Sequence, residues 1–353
     1  MKSKKTILVA PLFWGLGHAT RCIPIIDALL ARNYRVIIGS DGEALALLQK
    51  EFPSLTFVTL PSYEISYAKH KKNFKTHLIK QGPHIRRTIK SELKQVVQLK
   101  TKYNLDGIIS DNRYGVRHPD IPSVVMTHQL KVLSGNTTWL SALIQKKMLQ
   151  KFDAIWVPDF KKSPNLSGSL GHLEHADETY KNLVYLGPLS RLNKLEVKKK
   201  YDILVVLSGP EPQRGILEQK LITLLENNSK KILFVRGVVS DISKTSTLGG
   251  MTVVDFLTTQ EVELAINQSE IVICRSGYTS IMDLAALQKK AFLIPTPGQF
   301  EQEYLAKRFN EKGMLPYANQ AVFKLSDLNR ISVFSGLPKT ELKTDFDVLF
   351  GLF

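Results

Sequence analysis

Short apolar runs alternate with helical patterns along this whole chain, and no other feature narrows its fold as much. Residues 6–12, 34–38, 55–60, 107–109, 123–127 and 154–157 are rich in Ile, Val and Leu. They are too short for helices, so they read as strands buried on both faces. Between them lie segments such as Ile85, Ile89, Leu93, Val96 and Val97, repeating at near-helical spacing with Arg86, Arg87, Lys90 and Lys94 opposite. Alternation of this kind implies right-handed strand–helix–strand crossovers and parallel sheets.

The same grammar restarts after residue 190, with strand-like runs at 203–207, 231–235, 251–254, 271–273 and 291–294. Gly187-Pro188 and the run Lys198 to Lys200 mark the break. The expected architecture is α/β: two Rossmann-like domains, 1–190 and 191–331, facing across a cleft into which the C-terminal ends of both sheets open. In the remaining segment, 332–353, Leu342, Phe346, Leu349 and Phe353 line one helical face that is expected to pack back.

Composition removes several classes. Two cysteines, Cys22 and Cys274, make neither a disulfide framework nor a spaced zinc site. No run approaches the ~20 apolar residues of a membrane span. The start resembles a secretory leader, with basic residues ahead of an apolar run, but Pro11 and Gly15-Leu16-Gly17-His18 suit a buried strand and a tight turn. A cytoplasmic protein, at the inner face of the membrane, is expected.

The net charge of +16 is uneven: 27 Lys and Arg face 14 Asp and Glu up to residue 190, against 21 and 18 beyond it. Residues 61–102 hold eleven basic and two acidic side chains, with Tyr63, Tyr67, His70, His77 and His84 among them, and read as a face for an anionic partner. Trp139, Leu140, Leu143, Ile144 and Met148 beside Lys146, Lys147 and Lys151 read as a core-facing stripe, with an interfacial helix as the alternative.

Polar motifs follow the strands. Phe13-Trp14-Gly15-Leu16-Gly17-His18 ends the first, and His18 is a candidate base at the turn into a helix. Ser208-Gly209 and Arg214 follow a strand of the second half, and Arg214 suits bidentate phosphate contact. Cys274 to Asp283 again runs from a strand into a helix, an anion site built of free N–H groups with Arg275, Ser276, Gly277, Tyr278 and Thr279 at hand. Asp283 there is either a ribose ligand or a solvated acid. The loop 295–304 follows another strand and is dense in hydrogen-bonding side chains. Ser110 to Arg117 forms a polar loop that is a candidate acceptor site.

Taken together, GLGHATR, SGPEPQR, VVDFLTTQEVELAINQSEIVICRSG and PTPGQFEQEYLA resemble the MurG-like glycosyltransferases of the GT-B fold. The resemblance implies a UDP-sugar in the C-terminal domain, a hydroxyl acceptor, anionic or lipid-linked, in the N-terminal domain, and inversion at the anomeric carbon. By motif, Gly15, Gly17 and His18 match the glycine-rich loop, Ser208 and Gly209 a second phosphate loop, and Phe256 and Leu257 the segment under the uracil. Ser276-Gly277 match the turn at the helix N-terminus. Asp283 stands where the family has its ribose-binding glutamate, and Gln302-Glu303 where it has a sugar-gripping pair.

The expected enzyme transfers a sugar with no metal ion and no cofactor beyond the donor substrate, its diphosphate held by helix N–H groups, Arg275 and Arg214. His18 is the first choice of base, with Asp111 and His128 as alternatives because both follow strands. Two other readings stand beside it. One is a nucleotide-sugar hydrolase on the same fold, suggested by Gly-x-Gly-His-x-x-Arg. The other is a basic nucleic-acid-binding protein, disfavoured because no recognition helix or aromatic-basic RNA signature occurs.

Overall fold

A computed structural model describes residues 4–64, 74–133, 138–180, 182–209, 211–238, 243–338 and 344–353, without the side chains of 74–80 and Leu140. Residues 4–64 and 75–189, joined by 344–353, form one compact unit, and residues 190–338 form the second.

The first unit is built on seven strands: β1 (Thr6–Pro11), β2 (Arg35–Ser40), β3 (Thr56–Thr59), β4 (Gly107–Asp111), β5 (Ser123–Met126), β6 (Ala154–Val157) and β7 (Leu183–Tyr185). They pair in parallel in the order β3-β2-β1-β4-β5-β6-β7. Every residue of β1 and β4 is buried, which is why their sequences read as continuous apolar runs. The order reverses between β1 and β4, where Pro11 lies level with Asp111. Chains leaving these two strands diverge to opposite sides of the sheet, and the gap left at their C-terminal ends is where such folds bind ligands.

Helix α1 (Gly17–Ala31) follows β1, α2 (Gly42–Glu51) follows β2, and α3 (Phe74–Tyr103) leads into β4. On α3, Arg86, Arg87, Lys90 and Lys94 are exposed as expected, but Val97 also faces out and the inward stripe is Thr88, Glu92, Val96 and Leu99. Glu92 is tolerated inside because Arg113 Nη1 donates to it at 2.6 Å, Tyr63 Oη at 2.6 Å and Gly115 N at 3.1 Å. Arg113 also pairs with Asp41 and donates to the carbonyls of Pro11 and Pro61. Tyr63 and Arg113 thus belong to the interior, not to an anion-binding face or an acceptor loop. Tyr67 and His70 lie outside the described residues, as does the side chain of His77.

The second unit holds β8 (Tyr201–Val206), β9 (Ile232–Val235), β10 (Thr245–Leu248), β11 (Met251–Val254), β12 (Ser269–Cys274) and β13 (Ala291–Leu293), in the order β10-β11-β9-β8-β12-β13. Its reversal falls between β8 and β12, where Val206 is level with Cys274. β10 departs from the all-parallel expectation: it runs antiparallel to β11 across Gly249-Gly250, both with positive φ, as a two-residue hairpin demands. All four of its residues are exposed, so no apolar pattern announced it.

The tail returns to the first unit as α10 (Phe346–Phe350). Lys5 Nζ donates to Phe353 O, and the Phe353 ring packs against Trp156 and under Gly107, where a Cβ would meet it at 2.2 Å. Asp345-Phe346-Asp347 is an Asp-x-Asp pattern, but its carboxylates serve this tail. Asp345 caps α10 by accepting from the N–H groups of Asp347 and Val348, and Asp347 pairs with Arg32 at 2.6 Å.

Candidate functional site

At the first reversal, Gly15 takes a φ of +81° in open space, the left-handed backbone that lets the chain turn tightly off β1. Gly17 opens α1, so His18 and Arg21, three apart, share one face of its first turns. Asp111 ends β4 beneath them with no exposed surface. Arg21 grips it with two nitrogens, Nε at 2.6 Å from Oδ2 and Nη2 on Oδ1. His18 Nδ1 lies 3.1 Å from Asp111 Oδ1 and 2.8 Å from Arg21 Nη2. Arg21 Nη1 reaches His128 Nδ1, just past β5, at 3.0 Å.

The fold therefore brings His18, Asp111 and His128 together, and sequence reading missed the residue that joins them. The signal was the i,i+3 spacing of His18 and Arg21 at the mouth of a helix.

The charges in this cluster set one another. Burial pushes the Asp111 carboxyl up, but Arg21 and His18 outweigh it and hold it at about 2. Burial and Arg21 together pull His18 below the ordinary imidazole value against the opposing pull of Asp111, so the ring is neutral near pH 7. Asp111 is closed off from solvent, and both of its oxygens are taken up by Arg21 and His18.

The second unit gathers its motifs at its own reversal. Ser208 and Gly209 follow β8, and a Cβ on Gly209 (φ +102°) would meet nothing. Gly277, equally open, caps α8 (Tyr278–Leu287), whose first N–H, that of Tyr278, lies 3.3 Å from Glu301 Oε1. Thr279 sits in that first turn. Phe256 and Leu257 follow β11 half-buried, the Phe256 backbone fixed by Ser243 Oγ.

Two arginines depart from expectation. Arg275 is 1% exposed, and its guanidinium donates inward to the carbonyls of Ile294 (3.2 Å), Pro295 (3.1 Å) and Gln213 (2.7 Å). Burial lowers its pKa to about 9. It braces three loops instead of presenting a fork to phosphate. Arg214 pairs with Glu211 and Glu218 and donates to Arg236 O, so carboxylates of its own unit occupy its fork.

Three further residues are tied to backbone of the second unit. Ser276 Oγ donates to Gln302 O at 2.8 Å, Gln302 Oε1 accepts from Thr296 N at 2.8 Å, and Glu303 Oε1 accepts from Gly298 N at 3.0 Å. Asp283, on α8, accepts from Ser190 Oγ at 2.7 Å. Burial raises its carboxyl to about 6 against the pull of Arg191 and Ser190.

With this geometry in view, the relatives are informative. Residues 217–331 match the glycosyltransferase family 28 C-terminal domain. An uncharacterized glycosyltransferase of Methanosarcina mazei is 23% identical over 343 residues, covering 86% of this chain and 84% of its own. The UDP-N-acetylglucosamine–N-acetylmuramyl-(pentapeptide) pyrophosphoryl-undecaprenol N-acetylglucosamine transferase of Haemophilus ducreyi is 22% identical, covering 62% of this chain and 60% of its own. Among solved structures, the glycotransferase of kitacinnamycin superposes with a TM-score of 0.64 at 15% identity, over 99% of this chain and 94% of that one. The MurG of Acinetobacter baumannii gives 0.52 at 14% identity, over 94% and 90%.

The chain is a glycosyltransferase of the GT-B fold. More closely, it is MurG-like, with the family 28 domain making up most of its second unit.

Because Arg275 supports carbonyls and not a ligand, Arg275→Ala is expected to cost about 3 kcal/mol of stability, the penalty of leaving buried carbonyls unpaired. Chemical denaturation checks this; an unchanged midpoint with lost UDP binding would return Arg275 to the donor.

Proposed function

We propose that this glycosyltransferase moves a sugar from a UDP-sugar to a hydroxyl acceptor with inversion and without a metal ion, the second unit holding the donor and the first the acceptor. The observation that carries this reading is the His18–Asp111 pair, 3.1 Å apart at the first strand reversal. In the tautomer that donates Nδ1–H to Asp111, His18 keeps the Nε2 lone pair. That nitrogen takes the acceptor's proton as the acceptor oxygen bonds to the anomeric carbon and the bond to UDP breaks on the opposite face. In the second unit the open backbone at Gly209 and Gly277 and the N-terminus of α8 suit a diphosphate, and Asp283 suits ribose hydroxyls. The UDP named in the Haemophilus relative supports the donor class.

The acceptor reading rests on a groove of about 350 Å³ in the first unit. Leu130, Trp139, Leu143, Leu173 and Tyr180 line it with Lys131 and Lys146, and Leu130 is two residues from His128. An apolar wall with cations, beginning beside the reaction centre, suits an amphiphile that carries an anionic group. On helix α4 (Thr138–Leu149), Trp139 is 66% exposed and Leu143 52%, so this stripe is not the core-facing one expected from spacing. With Lys147 and Lys151 also exposed, it suits contact with an anionic bilayer that presents such an acceptor. Among the described residues no helix is long and apolar enough to cross a membrane.

Three outcomes are expected. With UDP-glucose or UDP-N-acetylglucosamine as donor and long-chain alkyl glycosides as acceptors, His18→Ala lowers kcat by about 10²–10⁴-fold and leaves the calorimetric Kd for UDP unchanged; undiminished turnover removes His18 from the chemistry. Affinity for UDP weakens as pH falls through about 6, where Asp283 gains a proton and loses acceptor capacity, and Asp283→Asn flattens that dependence in a calorimetric titration. In flotation the chain follows vesicles rich in phosphatidylglycerol over neutral ones, and Trp139→Ala with Lys146→Ala abolishes the preference.

A further inference from the structure

Just past β6 lies a second carboxylate with no exposed surface, Asp159, which the reaction does not use. Its Oδ1 accepts from Phe160 N at 2.8 Å and Leu166 N at 2.9 Å. Its Oδ2 accepts from Ser167 N at 2.8 Å and from Ser167 Oγ, and His172 Nε2 lies 3.1 Å from it. A carboxylate accepts at about four positions, so this one is full. Burial pushes the carboxyl up, but the hydrogen bonds from His172, Leu166 and Ser167 outweigh it and hold it below its ordinary value. The His172 ring stacks on Tyr185 of β7 with centroids 4.9 Å apart, and Tyr185 Oη donates to Gly171 O at 3.0 Å. One buried acid thus closes residues 160–172 into a fixed loop.

That loop lies against the residues that follow β5. Leu170 O accepts from Leu130 N at 2.7 Å and from Lys131 N at 3.1 Å. A Cβ on Gly171 would meet His128 O at 3.0 Å. Leu130 and Lys131 line the groove of the first unit, and so does Leu173, the neighbour of His172.

We propose that Asp159, Ser167 and His172 are positioning residues for the acceptor: by closing the loop on one carboxylate they hold Leu170 O where it fixes Leu130 and Lys131, and so set the fit of the groove. This rests on the reading of the groove as the acceptor site and names the residues that determine its shape. They act through Leu170 and Leu173, since none of the three lines the groove itself.

The test has one readout that needs no ligand and one that does, both on the full chain. In hydrogen exchange, the amides of Leu130 and Lys131 are expected to exchange about tenfold faster in Ser167→Ala and in His172→Phe, each of which removes one donor to a charged acceptor. Amides of β8 and β12 stay as in wild type. His172→Gln, which keeps an N–H donor in place of Nε2, restores the slow exchange. In calorimetry with dodecyl phosphate below its micelle concentration, Kd weakens about tenfold in Ser167→Ala and His172→Phe and recovers in His172→Gln, while the Kd for UDP is unchanged throughout. With alkyl glycosides the acceptor KM rises and kcat is kept.

Unchanged exchange at Leu130 and Lys131 in Ser167→Ala would overturn the proposal, even if His172→Phe fails to fold. So would faster exchange there with a wild-type Kd for dodecyl phosphate and a wild-type acceptor KM. Failure of the groove reading appears elsewhere and takes the proposal with it: a wild-type chain that neither binds dodecyl phosphate nor turns over an alkyl glycoside.

Discussion

A parallel sheet whose strand order reverses must leave a gap where its connections part, and both units of this chain are arranged around such a gap. In the first, β1 and β4 end side by side at Pro11 and Asp111; in the second, β8 and β12 end at Val206 and Cys274. The residues with chemical capacity collect at those ends because there backbone N–H groups and short polar turns are free of ladder pairing. His18, Asp111 and His128 are far apart in sequence and adjacent in space for this reason alone.

Four buried or nearly buried arginines tie these ends down. Arg21 and Arg113 work in the first unit through Asp111, and through Asp41 and Glu92. Arg275 works in the second through three carbonyls, and Arg214 through Glu211 and Glu218. A guanidinium presents several donors in a rigid plane, so it can pin separate loops at once where a lysine holds one point. The cost of desolvating such a charge is offset only when nearly every donor finds an acceptor. That requirement fixes the geometry of whatever the arginine touches, and Arg21 touches His18, Asp111 and His128.

Much of the fold was legible because strands buried on both faces leave unbroken apolar runs; 154–157 and 251–254 were read to the residue. β10 escaped because none of its residues is buried, and its trace was Gly249-Gly250. Glu92 and Val97 exchanged places because periodicity assigns charge to water, and only the long-range partner Arg113 reverses that. The same blindness governed the site. Arg275 and Arg214 looked like phosphate ligands since charge beside a strand end suggests one; nothing local shows that distant carbonyls hold Arg275, whereas Glu211 and Glu218, three and four residues from Arg214, were a local sign that its fork is taken. His18 was legible from its turn. Arg21 was not, because its meaning depends on Asp111 and His128, ninety and more positions away.

The path of the chain has a temporal consequence. The first unit is left at Leu189 and rejoined only by 344–353, whose Phe353 ring fills the space under Gly107 at the start of β4. On a ribosome the whole of the second unit emerges before that ring does. The sheet carrying Asp111 waits with the space under Gly107 unfilled while residues 190–338 are already made. Completion of the first unit is thereby coupled to the arrival of 344–353, and a product truncated before Phe346 holds every residue of 190–338 but lacks part of the first unit.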